Sequence, residues 1–171
     1  MIRSLAPAAI VLAAMLSISC GASEEAVASL EPLDVVTGWF DDGIIAGGKN
    51  KLVPSVTLKL RNKSSDPLRS VQINAIFRRV GEPEMWGEYF GWAIPRTQPL
   101  AAGAQTNTLV MRSTLGYTGE QPRMQMLQNK EFVDAKVEIY LKQGSKVWAK
   151  LAEYPIQRQL LTRQSQATAA R

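Results

Sequence analysis

Few side chains in this sequence could carry out chemistry, and the most distinctive of them is Cys20. It is the only cysteine among 171 residues, and the sequence contains no histidine. Without histidine the chain lacks the commonest general base, the usual partner of a nucleophilic serine or cysteine, and the commonest zinc ligand. The composition therefore excludes histidine-dependent hydrolysis and leaves carboxylate or Ser-Lys mechanisms, or a chemistry of Cys20 itself.

Two groups of carboxylates are the remaining catalytic candidates. Asp41 and Asp42 are adjacent, and Glu82, Glu84 and Glu88 lie close together further along the chain. Glycoside hydrolysis needs two carboxyl groups about 5 to 10 Å apart, but sequence neighbours on a strand point to opposite faces. We interpret both groups as solvated turns or rims and predict no catalytic residue, no metal and no cofactor. A carboxylate-dependent hydrolase or a calcium site is the minor alternative.

Cys20 closes a segment with the properties of a bacterial export signal. Arg3 precedes an apolar run over residues 5–18, and small or polar residues surround Cys20. The apolar run is shorter than the stretch of about 20 residues that a membrane-spanning helix needs. The sequence therefore predicts a signal peptide at residues 1–19 and an exported protein.

The residues around Cys20 resemble the lipobox of bacterial lipoproteins, whose cysteine becomes the lipidated N-terminus. The leucine that the family usually has three places before the cysteine is replaced by Ser17, with Leu16 one place earlier. The resemblance implies lipidation of Cys20, and Gly21 in place of aspartate implies the periplasmic face of the outer membrane. Plain cleavage after Ser19 or Ala22, which would give a secreted protein, is the alternative.

Charge and length indicate one folded domain that does not bind nucleic acid. The formal net charge is +5, and the lysines and arginines are dispersed instead of forming a basic run. About 150 residues remain after removal of the signal peptide, which is the usual size of one domain. A single cysteine allows no disulfide within the chain, so apolar burial must stabilise the fold.

The alternation of apolar and polar residues predicts an all-β domain at residues 33–161. The clearest strand covers residues 133–142, and others are predicted at 33–40, 51–62, 71–78, 106–112 and 146–154, with a turn at 41–43. Residues 121–130 predict one short helix. About seven strands with one half-polar face each are typical of an antiparallel immunoglobulin-like sandwich. We predict a flexible linker at residues 20–32 and a disordered tail at residues 162–171.

Residues 52–80 resemble the small immunoglobulin-like domains of bacterial envelope proteins, including those called FxLYD. The shared pattern is a strand that ends at Asn62, a serine-rich turn with Pro67 and Leu68, and a strand at residues 71–77. The resemblance implies a structural or adhesive module and no catalytic residue.

The aromatic segment at residues 86–94 is the best candidate for a binding surface. Its rings stand beside glycines, where they can stack on sugars or on peptide faces. Either Trp39 with Phe40 or Trp148 could extend this platform. The candidate ligand or partner residues are Trp86, Tyr89, Phe90 and Trp92. An extended chain would place Trp86, Phe90, Trp92 and Ile94 on one face together with Glu88, and Tyr89 on the other.

Core packing is the competing interpretation of this segment, and the sequence favours it. Trp86, Phe90 and Trp92 would then fill the space between the sheets, where aromatic side chains bury large areas. A carboxylate on the same face would be costly to bury, so Glu88 would need an edge position or an arginine partner.

The sequence as a whole favours a non-enzymatic lipoprotein of the cell envelope. A β-sandwich tethered to the membrane through Cys20 would bind another envelope protein or give structural support at the membrane. The alternative is a glycan-binding module that uses the aromatic segment at residues 86–92. Neither hypothesis involves nucleic acid.

Overall fold

The protein folds into strands that lie in two layers, and the computed structural model describes residues 23–162. The strands are β1 Leu30–Ile44, β2 Asn50–Asn62, β3 Val71–Arg79, β4 Gly87–Ile94, β5 Leu109–Arg112, β6 Tyr117–Gly119, β7 Ala135–Gln143, β8 Ala149–Pro155 and β9 Leu160–Leu161. The helices are α1 Glu24–Ser29 and α2 Arg123–Gln128, and a 3₁₀ turn spans Ala46–Gly48. The predicted signal peptide, Cys20 and residues 163–171 of the predicted tail lie outside the described residues.

The two sheets face each other with an immunoglobulin-like order of strands. The first sheet has the order β5–β2–β1–β9, with β6 also paired to β2, and the second has the order β4–β3–β7–β8. Neighbouring strands are antiparallel except for the short β1–β9 pair. Immunoglobulin-like sandwiches place their first, second and fifth strands in one sheet and the third, sixth and seventh conserved strands in the other. The predicted all-β sandwich is confirmed, with nine strands in the described range instead of about seven.

The helices are short and lie at the borders of the sandwich. The helix predicted at residues 121–130 is the shorter α2, with Pro122 as its N-cap residue, whereas α1 was not predicted. In the described part of the chain, no helix has the length and apolar character needed to cross a lipid bilayer.

The paired strands β3 and β7 build the middle of the core with their inward side chains. Ala75 pairs with Ile139, Ile73 pairs with Leu141, and all four side chains are buried. Side chains one position along each strand point to the outside of the second sheet, as a period of two requires. Val133 was predicted to point inward, but it precedes β7 and is exposed.

The prediction of a flexible linker is wrong for residues 23–32, which belong to the folded domain. Ala26 on α1 and Leu30 at the start of β1 are both buried. The Ser23 backbone N–H donates to the Val147 carbonyl at 2.9 Å, and Ser23 Oγ accepts a bond from the Gln143 N–H at 2.9 Å. Two well-placed apolar residues and one buried serine therefore fix a segment whose small, polar composition resembles a linker.

The turn predicted at residues 41–43 is a β-bulge inside a longer strand. β1 continues to Ile44, and its pairing with β2 shifts register between Asp41 and Gly43. Gly43 has a φ of 93°, which a residue with a side chain rarely adopts, and its N–H donates to Asp41 Oδ1 at 3.0 Å. The residues of a turn signal here bend the strand without ending it.

Four aromatic rings fill one end of the core around Trp39, which is fully buried. The ring centroid of Trp39 lies 4.6 Å from that of Phe132, 5.5 Å from Tyr117 and 6.0 Å from Trp86. Tyr117 and Trp86 also contact each other at 4.9 Å. This cluster joins the two sheets, because Trp39 and Tyr117 belong to the first sheet and Trp86 leads into β4 of the second.

Candidate functional site

The candidate binding surface lies on the outer face of the second sheet, where side chains form rows across the strands. One row holds Trp92, Gln72 and Lys142, since Gln72 pairs with both of the others. In the next row Asn74 pairs with Phe90 on one side and Tyr140 on the other. Trp92 and Phe90 belong to the edge strand β4 and are 52% and 56% exposed.

Trp148 completes this surface from the opposite edge of the sheet. It directly precedes β8, and its ring meets the Phe90 ring at a centroid distance of 6.0 Å and an interplanar angle of 72°. Because β3 and β7 lie between β4 and β8, the two side chains must reach toward each other across the middle of the sheet. Lys142 Nζ lies 5.9 Å from the Trp148 ring centroid. We call Phe90, Trp92 and Trp148 the aromatic face.

The favoured core-packing interpretation is wrong for Phe90 and Trp92 and correct for Trp86. Trp86 packs against the core through Trp39, and Tyr89 is also partly buried against it. The candidate residues therefore divide between two surfaces of the sheet, with Trp86 and Tyr89 inside and Phe90 and Trp92 outside. The predicted extension by Trp39 and Phe40 is wrong, because both side chains are buried.

The predicted grouping of Trp86 and Ile94 with Phe90 and Trp92 fails at both ends of β4. Trp86 precedes the strand, so the alternation does not apply to it. Ile94 pairs with Val71 and Trp92 with Gln72, so Ala93 is an extra residue at a bulge. As a result Ala93 and Ile94 are both buried.

Glu88 shares the outer face with the exposed rings and is itself exposed at the edge strand. Its Oε2 accepts a weak hydrogen bond from Asn74 Nδ2 at 3.5 Å. Because Glu88 lies at the edge of the sheet, its carboxylate is not buried and needs no arginine partner.

A network of charges occupies the other half of the same outer face and is centred on the buried Glu138. Its carboxylate accepts hydrogen bonds from Tyr140 Oη at 3.0 Å and Arg78 Nε at 3.3 Å, and Lys136 and Lys150 lie at 3.5 and 3.6 Å. Burial alone would raise the pKa of Glu138, but the hydrogen bonds from Tyr140 and Arg78, together with the nearby positive charges, hold that pKa below its usual range. Burial and the bond to Glu138 raise the pKa of Tyr140, so its hydroxyl stays protonated.

Three cations at the Trp92 end of the second sheet differ from those in the network, because they have no ion-pair partner within residues 23–162. They are Lys142, Arg69 and Arg96. Arg69 lies two residues before β3, and Arg96 lies two residues after β4, so both stand at the end of the sheet that carries Trp92. Three positive charges without an ion-pair partner in the described range therefore lie at this end of the sheet.

Three of the five carboxylate candidates occupy separate surface ion pairs, whereas Glu84 and Glu88 form no ion pair within residues 23–162. Asp41 pairs with Arg123 at 2.6 Å, Asp42 pairs with Lys51 at 2.9 Å, and Glu82 pairs with Arg79 at 3.3 Å. Among the described residues, no group of three or more acidic or cysteine side chains is placed to hold a metal ion.

Comparison with known proteins gives no family for this chain. No protein-family model and no curated protein matches it. Among solved structures, one similar chain is the ApaA protein from Bordetella pertussis, with 16% sequence identity and a TM-score of 0.38. The match covers 74% of this chain and 91% of the other. A likeness of this size carries no argument about function, so the proposals below depend on the chain's own residues.

Proposed function

We propose that the protein is an exported, non-enzymatic binding module that docks a partner protein of the cell envelope through its aromatic face. The supporting observation is the exposure of Phe90 and Trp92, with Trp148 beside them, on a sheet whose edge strand β4 pairs on one side only. Large rings held open to water are unusual on a monomer surface and mark interaction sites. The absence of histidine agrees with a role in binding instead of catalysis.

The composition of the face suits a protein partner. Interfaces are enriched in tryptophan, phenylalanine and arginine, and a few aromatic residues near the centre usually supply most of the affinity. Lys142, Arg69 and Arg96 lie at the Trp92 end of the same sheet, so a partner with acidic side chains around an apolar residue would be complementary. β4 also presents a free backbone edge, to which an extended partner segment can add a strand.

Replacing Trp92 with alanine is expected to weaken partner binding by about 30-fold, the usual loss for an interface residue that contributes strongly. Photocrosslinkers placed at position 92 in the intact envelope would first identify the partner. Affinity would then be measured with the purified pair. Binding of the unchanged protein should also weaken at high salt, because salt screens the attraction between its cations and an acidic partner.

Leu115→Ala is the matched control, since Leu115 is 53% exposed but lies outside the second sheet. It should change affinity less than about twofold, as expected of a surface residue outside the interface. Equal effects of the two variants, or no crosslinked protein at position 92, would contradict the proposal.

A glycan ligand is the second candidate, and the two side-chain amides on β3, between the aromatic residues, favour it. Gln72 and Asn74 lie between the aromatic edges, and Asn74 Oδ1 is buried without a hydrogen-bond partner among the described residues. Amides beside a ring can bind sugar hydroxyls. If Trp92→Ala abolishes retention on an envelope polysaccharide and changes no protein contact, this candidate replaces the first.

We further propose that Cys20 anchors the module to the periplasmic face of the outer membrane through attached acyl chains. Two or more chains give stable anchoring, whereas one is marginal. Cys20→Ala is expected to move the protein from the membrane fraction to the soluble fraction and to abolish labelling by a radioactive fatty acid. A Cys20→Ala protein that stays in the membrane and keeps its label would contradict lipidation. The binding surface would still be testable in that case.

A further inference from the structure

A pocket of about 440 Å³ opens at the end of the first sheet, away from the aromatic face. Its walls come from β6, from α2 and from residues 129–132, and Lys49 closes it from the β1–β2 connection. This volume is in the range of pockets that hold small molecules.

The floor of the pocket is apolar and is already ordered by the core. Tyr117, Phe132 and Met126 form it, and Phe132 and Met126 are less than 10% exposed. The Tyr117 and Phe132 rings lie 4.7 Å apart, and both contact the buried Trp39. An apolar group that enters the pocket would meet a rigid surface, so little ordering would be needed on binding.

The rim of the pocket carries charges of both signs that are not neutralised. Lys49, Glu120 and Glu131 line the same cavity. None of the three forms an ion pair with a residue in the described range, although Lys49 and the two carboxylates share the pocket. The nearby Asp41 and Arg123, in contrast, pair with each other at 2.6 Å.

We propose that this pocket binds a zwitterionic ligand with an apolar body, of the class of amino acids with a large apolar side chain. The side chain would lie on Tyr117, Phe132 and Met126. The ammonium group would face Glu120 and Glu131, and the carboxylate would face Lys49. A neutral apolar molecule would leave all three charges unused, and an organic cation would have to bind beside Lys49.

The test compares three probes that share one apolar body. They are L-phenylalanine, phenethylamine without the carboxylate, and 3-phenylpropionate without the ammonium group. Calorimetry gives the affinities, and the fluorescence of the tryptophan cluster beneath the pocket reports occupancy. L-phenylalanine is expected to bind about tenfold tighter than either analogue, since it alone makes both charge contacts.

Two variants test which charged group of the ligand each rim residue contacts. Glu131→Gln should weaken L-phenylalanine and phenethylamine about fivefold and leave 3-phenylpropionate unchanged, while Lys49→Met should weaken L-phenylalanine and 3-phenylpropionate and leave phenethylamine unchanged. Glu84→Gln and Lys63→Met are the matched controls, because both residues are exposed, lie outside this pocket and have no ion pair in the described part of the chain.

Two results would overturn the proposal. Phenethylamine that binds as tightly as L-phenylalanine would show a site for cations alone. No saturable binding of any probe up to about 10 mM would show that the pocket takes no ligand of this class. Neither result depends on the aromatic face, so the proposed docking function would be unaffected.

Discussion

Replacing Trp39 with alanine is expected to lower the free energy of unfolding by about 3 to 5 kcal/mol, the usual cost of removing a large aromatic side chain from a core. Trp39 is fully buried, and its ring contacts Trp86, Tyr117 and Phe132 at centroid distances of 4.6 to 6.0 Å. Its removal would leave a cavity between the two sheets at the point where rings from both meet. Urea unfolding followed by far-ultraviolet circular dichroism would measure the loss.

Two other variants separate burial from residue type. Trp92→Ala removes the same side chain from a half-exposed position and should cost less than about 1 kcal/mol. Trp39→Phe should cost less than Trp39→Ala, because Trp39 Nε1 has no hydrogen-bond partner among the described residues and only volume is lost. Equal losses for Trp39→Ala and Trp92→Ala would contradict the assignment of one ring to the core and the other to the surface.

The strands that a sequence predicts best are those whose two faces differ most. β3 and β7 alternate between apolar and polar residues except at Ile76 on the outer face, and their inward side chains, such as Ile73 and Ile139, are buried as predicted. The signal is strong because one face of each strand meets the opposite sheet while the other carries polar groups. Prediction was weaker at α1 and the start of β1, where only two apolar residues, Ala26 and Leu30, are buried.

The aromatic face could be located along the chain but not assigned to a side of the sheet. Phe90 and Trp92 are as suitable for a core as Trp39, and a regular alternation from residue 86 to 94 groups them with Trp86. The structure separates them through the late start of β4 and the extra residue Ala93. Both features depend on how β4 pairs with β3. This pairing cannot be predicted from the alternation of residues within one segment.

The ligand pocket could not be predicted from any single segment of the sequence. Its floor and rim come from four segments between Lys49 and Phe132, and each lining residue is ordinary in its own context. The pattern is visible only where the β1–β2 connection, β6 and α2 meet. Unpaired charges of both signs around an aromatic floor become informative only at that point.

Gly116→Ala is the second substitution with a large expected effect, because Gly116 lies directly against the backbone of β2. A Cβ atom there would overlap the Leu52 carbonyl oxygen and would lie 2.8 Å from Val53 Cγ1. Leu52 belongs to a central strand, so its backbone cannot withdraw without breaking the pairs with β1. β6 must move instead, which would break the pairing of Tyr117 with Leu52 and displace Tyr117 from the Trp39 cluster.

The expected loss in the free energy of unfolding for Gly116→Ala is about 3 kcal/mol, at the upper end of the usual cost of overpacking. The adjacent Leu115→Ala is the control and should change stability by less than about 0.5 kcal/mol, since Leu115 is exposed. Gly87→Ala should fall between them, because its Cβ would meet mainly the Ser113 hydroxyl, which can rotate away. Since Tyr117 also forms the pocket floor, Gly116→Ala should weaken L-phenylalanine binding even where the domain remains folded. A Gly116→Ala protein with unchanged stability would show that β6 does not pack against Leu52 as closely as the structure indicates.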